Sequence, residues 1–216
     1  MTHSSELIIL ACTKVGEKNL VLHTLSPVWG RRSFICTVSR SSGMSLFLPL
    51  NILNAEIVEN PKSDLWRLHA ITAAHPLSGI RNNLYKNTMT LFLSEVLYRT
   101  IKDGANEEGL YEWCRKSILT LDSLESDFSN FHLRFLLEFA GALGFDPSGE
   151  DLAPFAGEHY RTMQELTGLS FAQCMLLPLC GESRNEIAEI LLKYLSYHTE
   201  SAINAKSLPV LRELYR

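Results

Sequence analysis

Apolar and polar positions alternate in short runs along the first seventy-odd residues. Residues 7–13 form a compact apolar run. In 19–25, Leu20, Leu22 and Thr24 share one side, and in 31–38 Phe34, Cys36 and Val38 lie opposite Ser33, Ile35 and Thr37. Residues 45–50 and 54–58 follow, and 66–72 places Trp66, Leu68, Ala70 and Thr72 together. Turn formers separate the runs: Val15-Gly16-Glu17, Ser26-Pro27 through Gly30, Ser41-Ser42-Gly43 and Asn60-Pro61-Lys62-Ser63-Asp64. Short, evenly spaced strands with such turns predict a small antiparallel barrel or sandwich. Five or six strands in about 75 residues suit an OB-type barrel.

After His75-Pro76 the period lengthens. Ile80, Leu84, Leu91 and Val96 predict a helix running to about Lys102, stopped by Asp103-Gly104. A second helix is expected over 107–121. A third carries Phe128, Phe131, Phe135, Phe139 and Leu143 on one face, with Ser126 as N-cap and Gly144 as stop. That spacing fits a buried core before it fits a peptide groove. Residues 145–158, rich in Pro and Gly, read as a loop. A last helix over 185–199 follows Ser183, with Glu186 completing a capping box. The expected architecture is α+β: an N-terminal five- to six-stranded OB-type antiparallel barrel (1–76) and a C-terminal all-α helical domain (77–216).

Composition and charge refine this picture. The chain has 216 residues, 46% hydrophobic and 20% charged, with formal net charge −4, which excludes a disordered polyelectrolyte. No stretch approaches a membrane span, and no basic region precedes the first apolar run, so neither a membrane anchor nor a cleaved secretion signal is expected. The charge is uneven. Residues 1–76 carry seven basic and five acidic side chains, net +2, which leaves −6 for the rest. A nucleic-acid contact by the barrel is therefore compatible with an acidic chain.

Candidate chemistry is sparse. Five cysteines (Cys12, Cys36, Cys114, Cys174, Cys180) contain no CxxC pair, so reduced thiols and a cytoplasmic location are expected. There is no phosphate loop, GxSxG or HExxH. Seven scattered histidines give no metal or catalytic constellation, so no enzyme, cofactor, metal or small-molecule substrate is expected. Arg31 and Arg32 follow the Trp29-Gly30 turn, and Arg40 ends the same strand. They are either solvated strand-end charges or phosphate contacts beside a stacking ring such as Trp29 or Phe34.

Several segments, in order, resemble the recombination mediator family RecO, in its Bacteroidetes-type branch. The stretch from Lys14-Val15-Gly16-Glu17-Lys18 through Leu22 is similar to that family's first hairpin. Thr24 through Arg31 is similar to its Gly-containing turn, and Phe47-Leu48-Pro49-Leu50 to its Leu-Gln-Pro strand start. Residues 91–98, 130–136 and 206–213 resemble helices of the same branch. The resemblance implies a non-catalytic DNA-repair factor with an OB fold and a helical domain. It implies contact with single- and double-stranded DNA, a partner RecR, and docking of the C-terminal tail of SSB, the single-stranded-DNA-binding protein, in support of RecA loading at the nucleoid. On this reading Lys14, Lys18, Arg31, Arg32 and Arg40 contact DNA. Arg99, Lys102, Arg115 and Lys116 would anchor the acidic SSB tail. A protein-only adaptor that binds RecR or the SSB tail without DNA is the alternative. Only Cys174 and Cys180-Gly181 stand where many members carry a cysteine-rich zinc motif, so no zinc is expected. The segment before Phe47 carries one charge where the family is basic, and Leu48 replaces its Gln, so DNA contact is expected to be weak and salt-sensitive.

Overall fold

The computed structural model describes residues 1–38, 43–145 and 147–214. It resolves into two compact units, one formed by Met1–Ser78 with Ile101–Ile118, the other by Gly79–Thr100 with Leu119–Arg216.

The first unit is built on five strands, β1 (Thr2–Val15), β2 (Asn19–Ser26), β3 (Gly30–Thr37), β4 (Ile52–Val58) and β5 (Trp66–Ala73). They close into a barrel in the order β1-β2-β3-β5-β4, antiparallel except where β3 meets β5 in parallel. This is the five-stranded OB arrangement. The long β1 allows closure, because its first half pairs with β4 and its second half with β2, across an irregularity between Ile9 and Ala11. Alternate residues fill the interior: Leu7, Ile9, Leu20, Leu22, Phe34, Cys36, Leu53, Ala55, Ile57 and Leu68.

Residues 45–50 are not a strand. A 3-10 turn, Met44–Phe47, occupies this place and inserts Phe47 into the barrel core. The Asn51 amide donates to the carbonyls of Ser45 and Leu46, both at 2.9 Å, and Pro49 cannot donate to a ladder. Side-chain alternation alone does not reveal that competition.

The second unit is helical. Its elements are α1 (Ser78–Arg81), α2 (Leu84–Thr100), the end of α3 (Leu110–Ser123), α4 (Phe131–Ala142), α5 (Gly149–Ala156), α6 (Tyr160–Gly168), α7 (Phe171–Leu176), α8 (Gly181–Thr199) and α9 (Leu208–Leu214). Helix α4 packs on α8 and α7, and α2 on α9 and α8. Phe131, Phe135 and Phe139 are buried, so the aromatic face is core.

Four further expectations are corrected here. The single helix from Ile80 to Lys102 is broken at Asn82-Asn83, where the Asn83 side chain accepts from the Lys86 N–H at 3.1 Å. Helix α5 lies inside the expected 145–158 loop and tolerates Pro154. Ser126 does not cap α4; its hydroxyl donates to Asp127 instead, and α8 begins early because the Cys180 Sγ accepts from the Ser183 N–H.

Candidate nucleic-acid interface

Strand parity decides where the barrel's arginines go. On β3, Arg32 has the parity of the interior residues Phe34 and Cys36, whereas Arg31 faces outward. Arg32 therefore sits at the barrel mouth. The parallel pairing of Phe34 with Trp66 brings that indole to the same end. The Arg32 guanidinium carbon lies 3.6 Å from the centroid of the Trp66 ring, and its Nη2 donates to the Asp64 carbonyl at 3.2 Å. Trp29 meets Trp66 edge-on at 5.8 Å and Phe34 at 6.3 Å. On its other flank stands His3, itself 2.9 Å from Glu59.

The turn before β3 is fixed by a close approach of backbone. Gly30 has φ +57°, and a Cβ there would stand 2.0 Å from the Ala105 carbonyl. The Arg31 N–H donates to Ala105 O and Gly104 N–H donates to Arg31 O, both at 2.8 Å. The Arg31 guanidinium donates to the Ile101 carbonyl. Residues 101–106 are thus laced to β3 and bring Asp103 to the mouth. The result is a pocket of about 360 Å³ lined by Trp29, Arg32, Ser33, Asp64, Leu65, Asp103 and Gly104.

The other candidate cations lie elsewhere. Lys14 is the penultimate residue of β1 and Lys18 lies in the β1–β2 hairpin, both exposed. Lys14 pairs with Leu20 and Arg32 with Thr24, four residues further along β2, roughly 13 Å. The lysines and arginines therefore occupy opposite ends of the strands. Arg40 lies outside the described residues. Between the two ends, the outer face of β2 and β3 carries Val21, His23, Ser33 and Ile35. His23 bridges Thr13 and Ser33 by hydrogen bonds of 3.1 and 2.8 Å. Burial, then the nearby Arg31 charge, lowers the His23 pKa, so this ladder is neutral. Phe34 is fully buried and is not a stacking surface; Trp29 is half-buried.

Asp64 and Asp103, which line the pocket, and Trp66, which backs Arg32, are the residues that sequence reasoning missed. Trp66 was visible as the first inward position of its strand. Its neighbour was not, because parallel β3–β5 pairing joins segments some thirty residues apart.

Residues 81–153 match the family model described as Recombination protein O C terminal. The chain is also similar almost end to end to curated relatives. It is 28% identical to a DNA repair protein RecO of Bacteroides fragilis, covering 96% of this chain and 97% of the relative. Identity is 29% with that of Phocaeicola vulgatus over the same shares, and 28% with that of Flavobacterium psychrophilum over the whole of both chains. The chain is similar to the RecO family over nearly its whole length.

Within the segment matched to the RecO C-terminal model lie all four cations expected to anchor a partner. Arg99, on α2, is paired with Glu95 at 3.0 Å. Lys102 lies beyond the end of that helix and is exposed. On α3, Arg115 Nε donates to Glu6 Oε2 at 2.9 Å, the same oxygen that accepts from the Tyr111 hydroxyl at 2.9 Å. A second Arg115 nitrogen lies 3.0 Å from His75 Nε2. The Glu6 hydrogen bond, opposed by a smaller burial effect, raises the Arg115 pKa. Lys116, beside it, is exposed. Two of these cations are committed to intramolecular partners. The helical unit also contains a buried polar hub. The Asn130 amide donates to the carbonyls of Cys174 and Leu177, at 2.9 and 2.8 Å, and its oxygen accepts from Arg184 at 3.0 Å. No group of three or more His, Cys, Asp or Glu side chains among the described residues is arranged to hold a metal ion. Nor is any helix long and apolar enough to cross a membrane.

Proposed function

We propose that this chain is a RecO-like, non-catalytic DNA-repair factor whose barrel contacts single- and double-stranded DNA. In this reading it assists RecA loading on SSB-coated single strands together with RecR, in the bacterial cytoplasm at the nucleoid. The observation that carries the reading is the end-to-end similarity to proteins named DNA repair protein RecO. The OB topology supports it, since such barrels present grooves for oligonucleotides. The DNA contacts are Lys14, Lys18, Arg31, Arg32 and Arg40. The helical domain, 77–216, serves for docking RecR or the acidic SSB tail, with Arg99, Lys102, Arg115 and Lys116 as the cationic candidates. A barrel with net charge +2 binds weakly, and each neutralised phosphate of a single strand adds roughly 0.7 to the salt slope.

The test is fluorescence anisotropy of a labelled oligo-dT at low salt, with and without RecR. Binding that weakens as salt rises is expected, and absence of binding under both conditions overturns the DNA contact. The double change Arg31→Ala/Arg32→Ala should lower both affinity and slope.

The protein-only adaptor remains as a second reading, favoured by the neutral Val21/His23/Ser33/Ile35 face. It requires calorimetric binding of an SSB-tail peptide or RecR in the absence of any oligonucleotide affinity.

A further inference from the structure

The pocket at the barrel mouth has a chemistry that a phosphate contact does not explain. Arg32 rests one face of its guanidinium on Trp66 at 3.6 Å and is itself part of the pocket lining. Trp66 backs the guanidinium without itself lining the pocket. Trp29 forms a second wall, with its ring edge-on to Trp66. Asp64 and Asp103 stand on the remaining walls. With one cation against two acidic residues, the lining carries a net charge of −1, which disfavours a phosphate. A guanidinium backed by an indole is a platform on which a neutral heterocycle stacks. The volume of about 360 Å³ admits one base. We propose that this mouth pocket takes a single unstacked nucleobase of a bound single strand, with Arg32 acting as a stacking surface and not as a phosphate ligand.

The inference rests on the DNA-contact reading above and adds to it a site off the neutral β2–β3 face. Backbone stiffness explains why the pocket is ready-made. The 101–106 segment is held to β3 by two backbone hydrogen bonds and by the Arg31 guanidinium. The Asp64 carbonyl fixes Arg32 on its ring. Little ordering is left for the ligand to impose, which favours binding.

The experiment uses the full chain, a labelled oligo-dT, and an oligonucleotide of the same length made of abasic residues. Both oligonucleotides carry the same phosphates, so a site that reads only the backbone binds them alike. The proposal expects the abasic strand to bind at least about fivefold more weakly, the low end of what lost stacking costs. It also expects Arg32→Lys, which keeps the charge and removes the plane, to weaken oligo-dT by a similar factor while leaving the salt slope unchanged. In addition, Arg32→Lys should narrow the gap between the two strands. Equal binding of oligo-dT and the abasic strand by the unmodified protein overturns the pocket while leaving DNA contact standing. Failure to bind either strand removes both. The comparison on the unmodified protein stays decisive even if the Arg32→Lys protein does not fold.

Discussion

Gly30 is the residue on which the mouth of the barrel depends. Its positive φ alone would make a side chain costly, but the approach of the Ala105 carbonyl to 2.0 Å from a Cβ and of the Asn106 Cα to 2.6 Å makes it a clash of backbone with backbone. Gly16 is the natural control, because it has φ +67° with nothing within 4 Å. Gly16→Ala should cost about 1 kcal/mol, the left-handed penalty alone. Gly30→Ala should cost about 3 kcal/mol or more, since the 101–106 segment must give way. Urea unfolding of both proteins measures the difference, and equal costs would show that the segment yields freely. Residue-level bonding also sorts the helix α3 cations. Arg115→Ala strands Glu6 and Tyr111 and should lower stability by about 1 kcal/mol. Lys116→Ala should change stability by less than about 0.5 kcal/mol. A partner-binding defect from Lys116→Ala therefore reports docking directly, whereas one from Arg115→Ala has first to be corrected for folding.

At the scale of elements, α9 depends on a single carboxylate. Seven residues do not hold a helix in water by themselves. Glu95 of α2 accepts from the Lys206 N–H at 3.1 Å, from the Ser207 N–H at 3.0 Å and from the Ser207 hydroxyl at 2.7 Å, while also pairing with Arg99. Burial pushes the Glu95 carboxyl pKa up, but these hydrogen bonds together outweigh it and the net shift is downward. Glu95→Ala should therefore release α9. Hydrogen exchange at 206–211 should quicken at least tenfold, with the barrel amides unchanged. Unchanged protection there would mean that burial of Leu208 and Leu211 suffices. Such latches were not legible in the sequence, since Glu95 and Ser207 are 112 positions apart, whereas local patterns were. The alternation of Leu20/Leu22 and Phe34/Cys36 identified strands, and the Phe131/Phe135/Phe139 spacing identified a core face. Where local and tertiary demands diverged, the pattern misled. Leu46, Leu48 and Leu50 alternate like a strand, yet Asn51 and Pro49 hold that segment out of the sheet. The start of α8 was missed because a cysteine is an unusual cap. The arginines at the mouth were legible as charges, and even the shared parity of Arg32 with Phe34 was available. Their meeting with Trp66 required the parallel closure of the barrel.

For the whole molecule, protonation links fold and function. His132 lies at the centre of the helical core, 1% exposed, edge-on to Phe92 at 6.2 Å. Burial, reinforced by the Arg184 charge, lowers its pKa from the ordinary 6.5 to about 3. The unfolded chain therefore takes up a proton on this ring at a pH where the folded chain does not. Its stabilising effect is complete above pH 6.5 and is lost progressively as pH falls towards 3, at up to about 1.4 kcal/mol per pH unit. His23, lowered by burial and Arg31, acts in the same direction. Between pH 7.5 and 5.0 the His132 contribution amounts to about 2 kcal/mol, a sizeable part of the 5–15 kcal/mol that holds a typical domain. His132→Gln should flatten the pH dependence of urea unfolding by about that amount, and an unaltered slope would assign the acid sensitivity to other groups. The same titration governs how DNA binding is measured. Acid makes a chain of net charge −4 more positive and favours phosphate contact in general. An affinity gained at pH 5 thus mixes charge with loosening of the helical core. If the barrel is the DNA-binding module, the His132→Gln protein should show the same acid gain as the unmodified protein at pH values where both remain folded. A gain that disappears with this substitution would move the contact from the barrel to the helical unit.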